Sequence, residues 1–173
     1  ALPFISTGGL ADVLGSLPAA MKQEYRDDID IRVVMPLYDM ISEEWRSQMT
    51  LEAVFNLKLS WRNLYCGVKK LVKDGVTYYF IDNEYYFKRG TLYGHFDDAE
   101  RYAFFCKAAV EMLSVIGFYP DVLHAHDWQA ALSLAYLNFN YRWMKEYQNI
   151  KTVFTIHNIE YQGKADKSFL TEI

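Results

Sequence analysis

Apolar residues recur at spacings of three and four near the start of the chain: Leu10, Val13, Leu14 and Leu17 fall on one helical face. This predicts a helix from about Gly9 or Leu10 to Tyr25, kinked or divided by Pro18 and ended by Arg26-Asp27-Asp28. Residues 1–5, short, apolar and broken by Pro3, read as the exit from a strand that would precede them. β-formers then take over. Residues 29–35 read as a strand stopped by Pro36, and residues 39–47 as a short helix or loop. Three further runs, 51–61, 64–73 and 76–82, predict an antiparallel meander or strands of a mixed sheet. Arg62-Asn63 and Asp74-Gly75 are the expected hairpin turns.

The second half alternates differently. Residues 83–98 are polar and aromatic, with Gly90 and Gly94, and read as a long loop of the kind that tends to be functional. Tyr102, Phe105, Cys106, Ala109, Val110 and Leu113 mark a helix over 99–116, with Gly117 as its C-cap and Pro120 just beyond. Residues 121–125 form a strand, His126-Asp127 a turn, and residues 128–147 a second long helix with Leu132, Ala135, Tyr136 and Phe139 on one face. Residues 151–156 read as a short buried parallel strand, followed at once by His157-Asn158. This order implies βαβ units: an α/β chain with a Rossmann-like, mostly parallel sheet, helices on both faces and a β-hairpin or meander insertion.

Composition narrows the class. At 173 residues the chain can bury a sizeable core, and 51% hydrophobic with 23% charged residues is the balance of a soluble globular protein. A net charge of −4 with no Lys/Arg block argues against nucleic acid, and no apolar run is long enough for a membrane span. The two cysteines, Cys66 and Cys106, give neither a disulfide framework nor zinc-ligand spacing and fit a reducing, cytoplasmic compartment. Fourteen tyrosines suit sugar- or peptide-binding surfaces as well as cores.

Candidate chemistry gathers where strands end. In open α/β sheets ligands bind outside the carboxyl ends of the strands. Three polar groups fall there: the Gly8-Gly9 turn, His124-Ala125-His126-Asp127-Trp128, and His157-Asn158 with Tyr161-Gln162-Gly163 behind. Paired glycines opening a helix leave forward-pointing N–H groups, a setting for an anion such as phosphate, although neither the dinucleotide nor the ATP-type spacing is present. His124 and His126 share one face of a strand and, with Asp127, could ligate a metal; a polar cluster orienting a ligand, or His124 as a satisfied buried histidine, fits the spacing better. Asp127 at a helix start is also a natural N-cap. No Gly-x-Ser-x-Gly elbow supports a nucleophilic triad.

Four segments in register carry a resemblance over nearly the whole chain: Gly8-Gly9-Leu10-Ala11-Asp12-Val13, Val33-Val34-Met35-Pro36-Leu37-Tyr38, His124-Ala125-His126-Asp127-Trp128-Gln129-Ala130, and the run from Phe154 to Gly163. They resemble the N-terminal part of bacterial glycogen synthases and plant starch synthases, retaining GT-B glycosyltransferases that use ADP-glucose. The resemblance implies the N-terminal half of a GT-B fold: a single, partial glycosyltransferase domain over residues 1–173, with the first strand and the C-terminal nucleotide-binding domain outside it. It implies an acceptor-side domain that serves transfer of glucose from ADP-glucose (or UDP-glucose) to the non-reducing end of an α-1,4-glucan. No cofactor is implied, the location is cytoplasmic (plastid in a plant), and the fragment is expected to be inactive without its C-terminal domain.

The same resemblance carries roles to individual residues. Gly8 and Gly9 take the diphosphate end of the sugar nucleotide, with Asp12 close to the nucleotide. His157 and Asn158 line the glucosyl pocket, and a backbone carbonyl there can stabilise an oxocarbenium-like charge. Asp127 faces the glucose and acceptor, in company with His126 and Trp128. Tyr93, in the long loop, resembles a tyrosine near the acceptor. Ser6 stands where the family has lysine, which removes a positive charge beside the diphosphate. A non-catalytic α-glucan-binding module built on Trp61, Trp128 and the tyrosines is the alternative. A dinucleotide-dependent oxidoreductase is disfavoured by the missing Gly-x-Gly-x-x-Gly.

Overall fold

The computed structural model describes residues 1–6 and 8–173; Thr7, inside the glycine stretch, lies outside the described residues. The described residues divide into two compact units, one made of residues 1–54 and 67–92, the other of residues 55–66 and 93–173.

The first unit begins with the glycine-led helix α1 (Gly8–Tyr25), continued by a 3-10 turn (Arg26–Asp28). Pro18 neither divides nor ends it: the helix runs unbroken through the proline, whose ring is buried. Strand β1 (Arg32–Pro36), the short helix α2 (Glu43–Arg46), strands β2 (Thr50–Leu59), β3 (Arg62–Lys73) and β4 (Val76–Asp82), and the one-turn helix α3 (Glu84–Phe87) follow, residues 55–59 of β2 and 62–66 of β3 being counted with the second unit. The four strands make one sheet in the order β1-β4-β3-β2. β1 runs parallel to β4, with Val34 opposite Tyr79. β3 runs antiparallel to β4, as the meander reading requires. Because β4 lies between two strands, it reads as a near-continuous apolar run, and Val76 and Tyr78 to Ile81 are buried.

The Asp74-Gly75 turn and the packing of residues 1–5 hold this unit together. Asp74 and Gly75 both take positive φ (50° and 76°), the two-residue hairpin geometry that their identities favour. The β2–β3 hairpin, whose tip (residues 55–66) belongs to the second unit, turns at Ser60-Trp61, two residues ahead of the expected Arg62-Asn63, with Ser60 at φ 51°. Phe4 is buried edge-on against Trp45, Tyr78 and Phe80, with ring centroids 5.1, 4.8 and 5.1 Å away. This places residues 1–5 against the sheet as a turn, with the Ile5 N–H donating to the Ala1 carbonyl. The Leu2 N–H donates to the Ala11 carbonyl (3.1 Å), and a Cβ on Gly15 would meet the Leu2 Cβ at 2.7 Å and its carbonyl oxygen at 2.9 Å. Gly15 is therefore glycine because another stretch of backbone passes over it. The expected long loop holds α3, capped by Asn83, whose Oδ1 accepts the Tyr86 N–H at 3.1 Å.

The second unit is led by α4 (Asp98–Ile116), closed by Gly117 at φ 66° with its N–H on the Leu113 carbonyl. Then come β5 (Val122–His126), α5 (Trp128–Tyr136) and β6 (Lys151–Thr155). β5 and β6 pair in parallel, with His124 opposite Val153 and His126 opposite Thr155. α5 stops well before the expected residue 147, passing into a π turn (Leu137–Tyr141) and then a 3-10 turn (Lys145–Tyr147). Arg142 explains the break: its Nη1 donates to the carbonyls of Tyr147, Gln148 and Ile150 and its Nη2 to Asn138 Oδ1, gathering the chain as it reverses toward β6. β6 is parallel as expected but not buried: Val153 and Phe154 are 42% and 43% exposed. The tip of the β2–β3 hairpin is fastened within this unit. Arg62 pairs with Glu100 and donates to the Glu172 carbonyl, and Ser60 Oγ donates to the Thr171 carbonyl at 2.8 Å. Among the described residues no helix is long and apolar enough to cross a membrane.

The Gly15 contact carries an expected outcome. Gly15→Ala should lower the stability of the chain by ~1–3 kcal/mol in urea denaturation, since the new methyl has backbone rather than a flexible side chain to displace. Gly9→Ala, where nothing lies within 4 Å of the added carbon, should leave stability unchanged or raised by up to about 1 kcal/mol.

Candidate functional site

In the first unit, Gly8 and Gly9 open α1 as expected. Gly8 takes φ 61°, so glycine is required there by backbone geometry, and the space above both glycines is open. Asp12 lies one turn along and lines a cavity of about 440 Å³ with Leu2, Pro3, Gly15, Lys73 and Tyr78. Ser6 is exposed.

In the second unit the two sequence motifs at the ends of β5 and β6 meet. Parallel pairing puts the carboxyl ends of both strands on one side, and three hydrogen bonds stitch them together. The Asp127 N–H donates to the Thr155 carbonyl at 2.9 Å. Asp127 Oδ1 accepts the His157 N–H at 2.7 Å. His126 Nδ1 and His157 Nε2 share a hydrogen bond of 2.9 Å. Asp127 precedes α5, but its side chain makes no capping bond to that helix; the His157 amide holds it instead. Its backbone is held at φ 57°, a left-handed value that a non-glycine residue adopts only where its surroundings demand it.

The three histidines form a stack. The rings of His124 and His126 lie 4.0 Å apart at 28°, and those of His126 and His157 5.2 Å apart at 17°. His124 Nε2 and Thr155 Oγ1 are hydrogen-bonded at 2.7 Å. His124 is thus partnered, though exposed rather than buried. Partial burial, then the neighbouring rings of His124 and His157, push the His126 imidazole down from 6.5 to about 4, with Asp127 opposing. Burial and His157 push His124 down as well. At neutral pH, His126 is therefore an uncharged imidazole that donates through one nitrogen and accepts through the other. Among the described residues, no cluster of three or more His, Cys, Asp or Glu is arranged to hold a metal ion.

Asn158 spends its side-chain oxygen locally, accepting the Glu160 N–H at 3.0 Å and shaping the turn after His157. Trp128 packs edge-on against Tyr102, centroids 5.0 Å apart. A Cβ on Gly163 would overlap the Trp128 ring, so this glycine lets the chain after His157 close over the indole. Trp128 and Gly163 line a cavity of about 650 Å³ with Phe96, Asp98, Asp166 and Phe169. Tyr93, in the segment before α4, is 53% exposed. Sequence reasoning gave no role to Thr155, whose carbonyl and hydroxyl hold both Asp127 and His124. Its register opposite His126 could have been read from aligning the two strand ends.

A family model for the starch synthase catalytic domain matches residues 1–173. The chain is 48% identical over 171 residues to a glycogen synthase of Ligilactobacillus salivarius, covering 99% of this chain and 36% of that protein. It is 49% identical over 172 residues to one of Desulforamulus reducens, covering 99% and 35%. Among solved structures, the catalytic domain of starch synthase IV from Arabidopsis thaliana, bound to ADP and acarbose, matches with a TM-score of 0.87 at 28% identity, over 99% of this chain and 35% of that one. The chain therefore spans about a third of the length of the relatives it matches.

The low-lying His126 sets a pH dependence. The unfolded chain takes up a proton as pH falls through 6.5, while the folded one resists until about 4. Stability from this group is thus complete above pH 6.5 and is lost as pH falls from 6.5 to 4. Urea midpoints across that window should fall more steeply for the native chain than for His126→Phe; parallel curves would contradict this.

Proposed function

The chain belongs to the starch synthase catalytic domain family, and we propose that it is the N-terminal, acceptor-side domain of a glycogen or starch synthase. In this reading it is part of a GT-B enzyme, with a Rossmann-like sheet, that moves glucose from a nucleotide donor, ADP-glucose or UDP-glucose, to the non-reducing end of an α-1,4-glucan with retention. The second nucleotide-binding domain would come from the remaining two-thirds of such a protein. The location that fits is cytoplasmic, or plastid in a plant. The observation that carries the reading is the stitch between Asp127 and the His157 amide at the carboxyl ends of two paired parallel strands.

The proposed mechanism follows from that stitch. Holding the His157 N–H fixes the backbone of His157 and Asn158. A carbonyl of that segment is then pre-oriented beside the anomeric carbon, where positive charge develops as the diphosphate departs. The second Asp127 oxygen is left for a sugar hydroxyl, and His126 and Trp128 complete the wall next to it. In the first unit, Gly8, Gly9 and Asp12 are proposed to contact the donor's diphosphate end. With Ser6 in place of lysine, that contact rests on N–H groups and the helix dipole without a side-chain cation.

The test joins this chain to the remaining two-thirds of the Desulforamulus reducens enzyme and follows radiolabelled glucose from ADP-glucose into maltooligosaccharide. Transfer with retention is expected. Asp127→Asn and His157→Ala should each lower kcat by about 10²–10³ while the protein stays folded. Calorimetric binding of maltooligosaccharide with no transfer and no response to ADP-glucose would favour a glucan-binding module instead.

A further inference from the structure

We propose that His124 and His126 are positioning residues that fix the ring of His157 through an ordered imidazole stack anchored on Thr155. The inference rests on the reading of His157 as a wall of the glucosyl pocket, and it assigns His126 a role other than sugar contact. It starts from the two ends of the stack. At one end, the hydroxyl of Thr155 holds His124 at 2.7 Å. His124 then lies flat against His126 at 4.0 Å, so the orientation of one ring constrains the other. At the far end, His126 Nδ1 meets His157 Nε2 at 2.9 Å.

That last bond has a chemical consequence. Two imidazole nitrogens can share a hydrogen bond only if one carries the proton and the other offers its lone pair. The two tautomers are therefore coupled: a proton on His126 Nδ1 makes His157 Nε2 the acceptor and leaves the His157 proton on Nδ1, whereas a proton on His157 Nε2 leaves its Nδ1 bare. Two protonated rings would leave both nitrogens as donors and break the bond. The groups facing His126 are His124, His157 and Asp127, and α5, packed against β5, brings no charged side chain to it. The main chain of His157 is already held by Asp127, so backbone and ring are fixed by separate partners. His157 Nδ1 thus changes between donor and acceptor only together with His126, which matters for recognising a sugar hydroxyl because a wrongly paired polar group in such a site is costly.

The experiment is ¹⁵N NMR of the imidazole nitrogens in the labelled 173-residue chain at neutral pH, without ligand. The expected result is complementary tautomers for His126 and His157, the proton fractions on His126 Nδ1 and His157 Nε2 summing to one. His126→Phe, which keeps a flat ring but no nitrogen, should collapse the His157 pattern to the average of two tautomers, and His126→Gln, which restores a polar partner, should recover part of the ordering. Proton fractions on His126 and His157 that are not complementary in the native chain, or a His157 pattern unchanged in His126→Phe, would overturn the proposal. Should His126→Phe not fold, Thr155→Val tests the anchor: loss of the hydroxyl should shift the His124 nitrogen signals, and unchanged His124 signals would again overturn it. The measurement needs neither donor nor glucan. Its failure would leave the glucosyl reading standing, and failure of transfer in the joined enzyme would leave the ring ordering intact.

Discussion

One carboxylate holds the functional end of the second unit together. Asp127 leaves strand β5 in a left-handed backbone conformation, returns its N–H to the Thr155 carbonyl and takes the His157 N–H on its side chain. Parallel strands have no hairpin to fix where their ends lie, because a crossover separates them. Here the crossover is α5, the π turn and the Arg142-gathered segment. The ladder bonds end at Thr155, and the Asp127 contacts carry the tie on to the His157 backbone. The turn at Asp127 and the backbone placement of His157 rest on this pair of bonds.

The same constraint separates two kinds of work in neighbouring residues. Asp127 orders backbone, whereas His124 and His126 act on a ring. Asn158 shapes the turn, and Gly163 brings the following chain over Trp128. Little of this uses apolar packing. The core contacts lie elsewhere, in the Phe4–Trp45–Tyr78–Phe80 cluster of the first unit and along the buried face of α4 in the second. The polar end can therefore carry a positive φ without weakening either core.

Much of this was legible in the sequence because the signals are local. Period-two and period-3.6 patterns found every strand and both long helices of the α/β fold, and Asp74-Gly75 and Gly117 marked their turn and cap correctly. The misses are long-range. Pro18 does not divide α1: the helix runs through it with the ring buried, a packing contact that local propensity does not register. Helix α5 ends early because Arg142 reaches carbonyls up to eight residues ahead, which periodicity cannot register. The first hairpin turns at Ser60-Trp61 because Ser60 and Arg62 are tied to residues 171 and 172, more than a hundred positions away. The motifs at the two strand ends were visible as types and spacings. That Asp127 serves the His157 amide rather than its own helix required the register of β5 against β6.

The most direct measurement is a crystal structure of the joined, full-length enzyme with a non-transferable analogue of the nucleotide-glucose donor. The account predicts the glucose ring within hydrogen-bond distance of Asp127 and His157, its anomeric carbon next to the His157–Asn158 backbone, and the bond from the His157 N–H to Asp127 intact. A glucose ring bound away from the ends of β5 and β6, or an Asp127 side chain released from His157 in the complex, would contradict it.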